Sequence, residues 1–219
     1  MSLIVQETEQ IKVWTGDFGR DYTARNRFPD VEAFNALYET RYGRSRDAIN
    51  QDWLADVPRE ARVLEVGANI GNQLRALSRI GFRHLYGIEL QRRCVEEAKQ
   101  LSPGIDIIEG LAFDIPFKDG FFDLVFTNNV LIHIAPDDIG AVMDEMHRVS
   151  RRWIWGFEYY APAFTEIPYR GHDHLLWKAD YAGLFRTRFP GLRSLREETL
   201  DCRDEPGNVD KLYLLEKRD

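Results

Sequence analysis

Apolar positions follow two rhythms along this chain. From Arg62 onward, short continuous apolar runs alternate with stretches in which apolar residues recur every three or four positions. The runs read as strands buried on both faces, and the spaced stretches as amphipathic helices. This predicts strands at 62–67, 84–89, 105–109, 122–127 and 153–160, with helices at 72–79, 91–101 and 136–149 between them. Pro103-Gly104 stops the second helix. Strands separated by helices of this length need right-handed crossovers, so the sheet is mainly parallel with helices on both faces. After Pro168 the order is less regular; 194–200 and 211–216 are two further candidate strands, an antiparallel pair that would close one edge and bring the sheet to seven.

The stretch from about residue 6 to residue 58 has a different texture. Trp14, Phe18, Tyr22, Phe28, Phe34, Tyr38, Tyr42 and Trp53 stand among many charges, which suggests short helices lying over something else. We therefore expect a helical cap or lid over 1–58 and an α/β domain over 59–219. An insertion at about 161–182 would shape an acceptor pocket.

With 219 residues, 44% hydrophobic and 30% charged, the chain suits one globular domain with a small appendage. A net charge of −7 argues against a nucleic-acid surface. No apolar run approaches the ~20 residues of a bilayer span, and Met1–Glu7 lacks the basic and long apolar regions of a secretory signal, so a cytoplasmic protein with no membrane partner is expected. Cys94 and Cys202, the two cysteines, lack metal or disulfide spacing and read as packing residues, as do Trp153 and Trp155 on one face of a strand.

In an open parallel sheet a ligand sits beyond the carboxyl ends of the strands, and polar residues gather there. The first strand runs into Glu65-Val66-Gly67-Ala68-Asn69-Ile70-Gly71-Asn72, a glycine-containing turn that opens a helix. The second ends in Glu89, placed to accept hydrogen bonds from the vicinal hydroxyls of a ribose. The glycines alone would equally suit a packing turn, but the strand before, the helix after and Glu89 at the next strand end point to a nucleoside site. Asn69 stands where a dinucleotide loop has its second glycine and would obstruct a pyrophosphate, while Glu65 would repel phosphates and suits an ammonium group beside a cationic centre.

Those residues, together with Gly110-Leu111-Ala112-Phe113-Asp114-Ile115-Pro116-Phe117 and Phe122-Asp123-Leu124-Val125, resemble the successive motifs of class I S-adenosylmethionine-dependent methyltransferases over roughly 60–160. The resemblance implies the Rossmann-like methyltransferase fold and S-adenosyl-L-methionine as cofactor. It places Glu65 and Gly67 near the methionyl end, Glu89 (with Leu90 following) on the ribose, Leu111 and Ala112 beside the adenine, and Asn128 by the methionine moiety. Leu111 departs from the Asp or Ser that many relatives carry there, so an adenine contact is lost or supplied from elsewhere. The outer motifs, Glu9-Gln10 with Trp14-x-Gly16-x-Phe18-Gly19-x-x-Tyr22-x-x-Arg25-Asn26, then Pro168-Tyr169-Arg170-Gly171 and Trp177-Lys178-x-Asp180, are similar to methyltransferases found with pseudaminic acid biosynthesis.

Further candidates rest on chemistry. Tyr22, Arg25 and Asn26 share a helix face that could close over the cofactor, Tyr22 offering an aromatic face to a sulfonium or else packing within the leader. Glu158, His133 and His172 are the base candidates, with Tyr160 as a further catalytic candidate; alternation puts Glu158 and Tyr160 on one side of their strand and Tyr159 on the other. Each histidine has a packing or surface alternative. Arg170, His174 and Lys178, with Tyr159 and Tyr160, are the candidates for binding an acidic acceptor, against a solvated loop. No metal is expected, since His172 and His174 lack a third ligand. The expected activity is methyl transfer by in-line displacement to a small polar, acidic metabolite, by a monomer or homodimer. The alternatives are cleavage of the cofactor with release of methylthioadenosine, for instance by cyclising its aminobutyryl arm, and a non-catalytic nucleotide-responsive module.

Overall fold

The computed structural model describes residues 8–218, so the reading of Met1–Glu7 falls outside the described residues. Four helices come first: α1 (Glu9–Thr15), α2 (Asp17–Arg25), α3 (Val31–Tyr42) and α4 (Arg46–Trp53). Their starts follow from local chemistry. The side chains of Thr8, Asp30 and Ser45 accept from the free N–H groups of Ile11, Ala33 and Ala48 at the mouths of α1, α3 and α4. Gly43, at φ 71°, ends α3 in the left-handed conformation.

The chain then alternates through β1 (Arg62–Val66), α5 (Asn72–Arg79), β2 (His84–Glu89), α6 (Arg92–Leu101), β3 (Asp106–Glu109), β4 (Phe122–Asn128), α7 (Ile139–Val149) and β5 (Ser150–Tyr159). It closes with a short β6–β7 ribbon (Thr165–Glu166, Trp177–Lys178), α8 (Tyr181–Arg188), β8 (Leu192–Asp201) and β9 (Val209–Lys217). The sheet has seven strands in the order β3-β2-β1-β4-β5-β9-β8. The first five are parallel, β9 runs antiparallel between β5 and β8, and the expected edge pair is present. Two starts move by three residues. The helix expected from Pro136 begins at Ile139, because Ala135 carbonyl first closes a turn onto Asp138 and Ile139, and β5 starts at Ser150.

Period-two burial divides the core into two. On one face Val63, Leu124, Phe126, Trp153, Trp155 and Phe157 pack with residues of α3 to α6; on the other Leu64, Val66, Val125 and Ile154 pack with α7 and α8. Full burial of side chains such as Trp155 and Phe157 contributes about 2 kcal/mol each. Phe34, Tyr38, Tyr42, Ile49 and Trp53 belong to the first of these cores, so α3 and α4 are part of the covering layer of the sheet. Only α1 and α2 lie beyond it.

Sequential strands run outward from β1 to β3, and the chain returns to place β4 on the other side of β1. The direction reverses at β1–β4, which leaves a crevice beyond their carboxyl ends.

Candidate functional site

That crevice is a cavity of about 800 Å³. Its floor is the turn after β1. Gly67, at φ 76°, brings its backbone under Val130, and the N–H groups of Gly67 and Ala68 both donate to Ile88 carbonyl, at 2.9 and 3.0 Å. Asn69 takes φ 48°, accepts from Ile70 N–H through its own side chain, and donates from its amide to Thr23 Oγ1 at 3.1 Å. Asn72 donates to Asn26 carbonyl at 2.9 Å. These two asparagines therefore tie the turn to α2.

Glu89 is buried at the end of β2, its two oxygens accepting from Asn69 and Gln91 N–H at 2.8 Å each. Burial raises its proton affinity and those N–H groups oppose the rise. Each oxygen keeps acceptor capacity toward the cavity. Leu90, Leu111 and Ala112 wall the adjoining slot. Glu65, also buried, lines the floor with Oε2 unpartnered; burial holds its carboxyl well above the usual range, with Arg46 opposing and Glu89 reinforcing. Asn128 and the Tyr38 hydroxyl meet at 3.3 Å opposite.

His133 lines the roof. Its Nδ1 lies 2.8 Å from Leu175 carbonyl, and because a carbonyl only accepts, Nδ1 carries the proton and Nε2 the free lone pair. Burial pushes its pKa down to about 4, so the ring is neutral. Trp14 packs 4.6 Å and Tyr169 5.3 Å from it, ring centre to ring centre, while Trp14 also meets Tyr22 at 5.0 Å. Desolvation keeps the Tyr22 phenol un-ionised. At the far end stand Arg170, at φ 51°, and Lys178, whose Nζ donates to Asn208 Oδ1 at 2.6 Å beneath the Tyr159 ring. Arg41 lines this end too but is already paired with Asp204 at 3.2 Å.

Six expected site residues are not on the cavity wall. Glu158 faces α7 and α8, accepting from Val130 and Ile132 N–H at 3.3 and 3.4 Å; burial pushes its pKa up to about 7. The strand register explains this, since Tyr159 rather than Glu158 reaches the cavity. Tyr160 pairs its backbone with Val209 and its ring with Lys211. His172 is exposed, edge-on to Phe18, and His174 is exposed on Glu166 at 3.0 Å, so neither reaches the roof. Arg25 points to solvent. Gly71, at φ 83°, packs behind the turn against Ser102 and Ile107, where it shapes the loop without facing the cavity.

Trp14, Tyr38, Gln73 and Tyr169 line the cavity without having been singled out as site residues. Arg46 was missed as well. Its signal was present: Arg46, Ile49, Asn50 and Trp53 fall at i, i+3, i+4 and i+7, which puts an arginine on a buried stripe.

Residues 64–152 match the family described as "Methyltransferase domain". A glycine/sarcosine/dimethylglycine N-methyltransferase of Actinopolyspora halophila is 33% identical over 102 residues, 44% of this chain and 18% of that protein. The chain spans less than a third of the length of the curated relatives it matches. Among solved structures, a 1,6-didemethyltoxoflavin-N1-methyltransferase of Burkholderia thailandensis superposes with a TM-score of 0.71 at 17% identity, covering 100% of this chain and 93% of that one. A magnesium protoporphyrin IX methyltransferase of Synechocystis gives 0.66 at 16%, covering 96% and 98%. The fold is that of the Rossmann-like methyltransferases.

Proposed function

We propose that this chain is an S-adenosyl-L-methionine-dependent methyltransferase that acts on a small acidic metabolite. The observation that carries the reading is the pair of buried carboxylates, Glu65 and Glu89, facing one cavity at the switch point of the sheet. The donor set fits the cofactor. Glu89 is held by two backbone N–H groups with lone pairs left for ribose hydroxyls, the Glu65 carboxyl lines the cavity with no hydrogen bond to Oε2, and the Gly67 backbone leaves no side chain in the way.

S-adenosyl-L-methionine, when bound, supplies a methyl group already activated by its sulfonium, so the protein needs no nucleophile of its own. What these residues do is align, desolvate and accept a proton, and alignment alone can supply several kcal/mol (roughly 7 or more in well-oriented systems). Leu111 and Ala112 would flank the adenine, and Tyr22, Asn69, Asn72 and Asn128 would hold the remainder. Arg170 and Lys178 bind the acid group of the acceptor near Tyr159; neither is paired with a carboxylate among the described residues. Of the three base candidates, His133 is the one on the cavity wall, and it presents its unprotonated Nε2 to the acceptor. The outer motifs support the narrower reading, a relative of the methyltransferases found with pseudaminic acid biosynthesis.

Calorimetry with S-adenosyl-L-methionine, S-adenosylhomocysteine and NAD tests the cofactor: the first two are expected to bind and the third not. Incubation with S-adenosyl-L-methionine alone then tests the reaction. The cofactor should stay intact until an acceptor is added. Release of methylthioadenosine would replace this reading with cofactor cleavage, which the methyltransferase relatives do not favour.

A further inference from the structure

A guanidinium is costly to take out of water, and Arg46 is fully buried. It lies between α4 and the sheet, with its charge centre 4.9, 5.1 and 5.0 Å from the rings of Tyr38, Trp155 and Phe157, whose faces offset part of the lost hydration. Nε donates to Gln73 Oε1 at 2.7 Å, and Gln73 donates onward to Asn50 Oδ1 at 2.9 Å. That relay holds the arginine in place and fixes the orientation of an amide on the cavity wall. Nη1 and Nη2 have no partner, and the buried Oε2 of Glu65 has none either. Glu65 shares its face of β1 with Val63, the face that α4 covers.

We propose that Arg46 is a positioning residue: it is the buried counter-charge that eases ionisation of Glu65 toward the ammonium of an α-amino acid group at the cavity floor. Arg46 does not line the cavity, so it acts through Glu65 and not by touching the ligand. The inference rests on the cofactor reading above. Its logic is electrostatic. Burial and the neighbouring Glu89 both favour a neutral Glu65, and a neutral carboxyl gives an ammonium little attraction; Arg46 is the group that opposes them. The other titratable groups around the pair are Tyr38 and Tyr42 on α3. A close, fully bonded ion pair would consume the lone pairs of the carboxylate. No hydrogen bond or ion pair joins Arg46 to Glu65 among the described residues, so the charge acts without consuming those lone pairs.

The test compares two ligands that share an adenosine but differ in the amino acid arm. Arg46→Met keeps most of the side-chain volume and removes the charge, an exchange that buried ionic sites often tolerate. It should weaken S-adenosylhomocysteine by about tenfold or more at pH 7 while leaving 5′-methylthioadenosine within about twofold. The lost affinity should return in part as pH is raised and Glu65 gives up its proton, over a higher pH range than any such slope in the wild type. Arg46→Lys, which keeps the charge, should retain S-adenosylhomocysteine binding within a few-fold. Equal weakening of both ligands, or no weakening, overturns the inference. In infrared spectra the protonated-carboxyl band that Glu65→Gln removes should titrate away at lower pH in the wild type and in Arg46→Lys than in Arg46→Met or Arg46→Gln; coincident titrations overturn it as well. Failure of the wild type to bind either nucleoside would instead overturn the cofactor reading.

Discussion

At Gly67 the backbone does what a side chain would prevent. Its φ of 76° costs a non-glycine residue about 1 kcal/mol or more, and an added methyl would sit 2.7 Å from Val130 Cγ2. Val130 cannot retreat freely, because Glu158 holds its N–H from behind. Gly67→Ala is therefore expected to cost roughly 2 kcal/mol or more and to weaken nucleoside binding through the displaced loop. Urea unfolding and calorimetry on the same preparation check both, and an unchanged midpoint would refute the close approach. Glu158 also shows the limit of reading side chains from a strand. Alternation separates Tyr159 from Glu158 and Tyr160, yet which set meets the cavity depends on what covers each face of β5. Because α7 and α8 lie over Glu158, its carboxyl becomes the anchor of the loop after β4 rather than a group in the cavity. Arg46 was hidden for a related reason: an arginine is read as solvated unless its helical stripe is followed to Trp53.

Among the elements, α1 and α2 differ from the rest of the leader. They join the roof through rings, Trp14 onto His133 and Phe18 onto Tyr169, and through Gln10, whose amide donates to His174 carbonyl at 2.9 Å. Gly19 lets them meet, since any Cβ there would overlap the Trp14 carbonyl oxygen and approach Gln91 Oε1 at 2.9 Å. We expect Gly19→Ala to lever α1 off α2, raising amide exchange across residues 9–25 and the Kd for the nucleoside several-fold. Residues 31–53 should keep their protection, because Phe34, Tyr38 and Trp53 belong to the core of the sheet. Exchange rising equally through all four helices would mean that the leader opens as one body. The aromatic spacing marked the whole leader as covering something. What it covers was not legible, because Trp14 and Tyr38 look alike in sequence and differ only in whether a strand or the roof loop lies beneath. The 161–182 segment was similarly half legible: its unusual charges stood out, but the β6–β7 ribbon that turns Lys178 inward and His174 outward has only two residues per strand.

For the whole molecule, topology was the most legible feature, because buried parallel strands and crossover helices leave period-dependent signals that local chemistry does not disturb. Charge placement was the least legible, and it sets the pH response. His133 is buried neutral with its pKa pushed down to about 4, so between about pH 6.5 and 4 the unfolded chain binds a proton that the native one refuses, and stability falls as pH falls. Carboxylates paired with arginine, such as Asp144 with Arg188 and Glu145 with Arg148, are lowered and add an acid loss of the same sign. Glu158 and Asp210 work the other way. Burial pushes both up to about 7, so their contribution is complete below the ordinary carboxylate range and is lost as pH rises from about 4 through 7. His147, also pushed down to about 4, joins His133 in offsetting these two acids below about pH 6.5, so the decline should stand out between about pH 6.5 and 7. Glu158→Gln and Asp210→Asn remove the group whose ionisation is costly, so each is expected to flatten that decline and to gain on the wild type as pH rises, though each begins with the cost of a changed hydrogen bond. Thermal unfolding followed from pH 5 to 8 reads the slope directly. A wild-type midpoint that climbs steadily through neutrality, with both variants parallel to it, would show that these two buried acids are already ionised in the native protein.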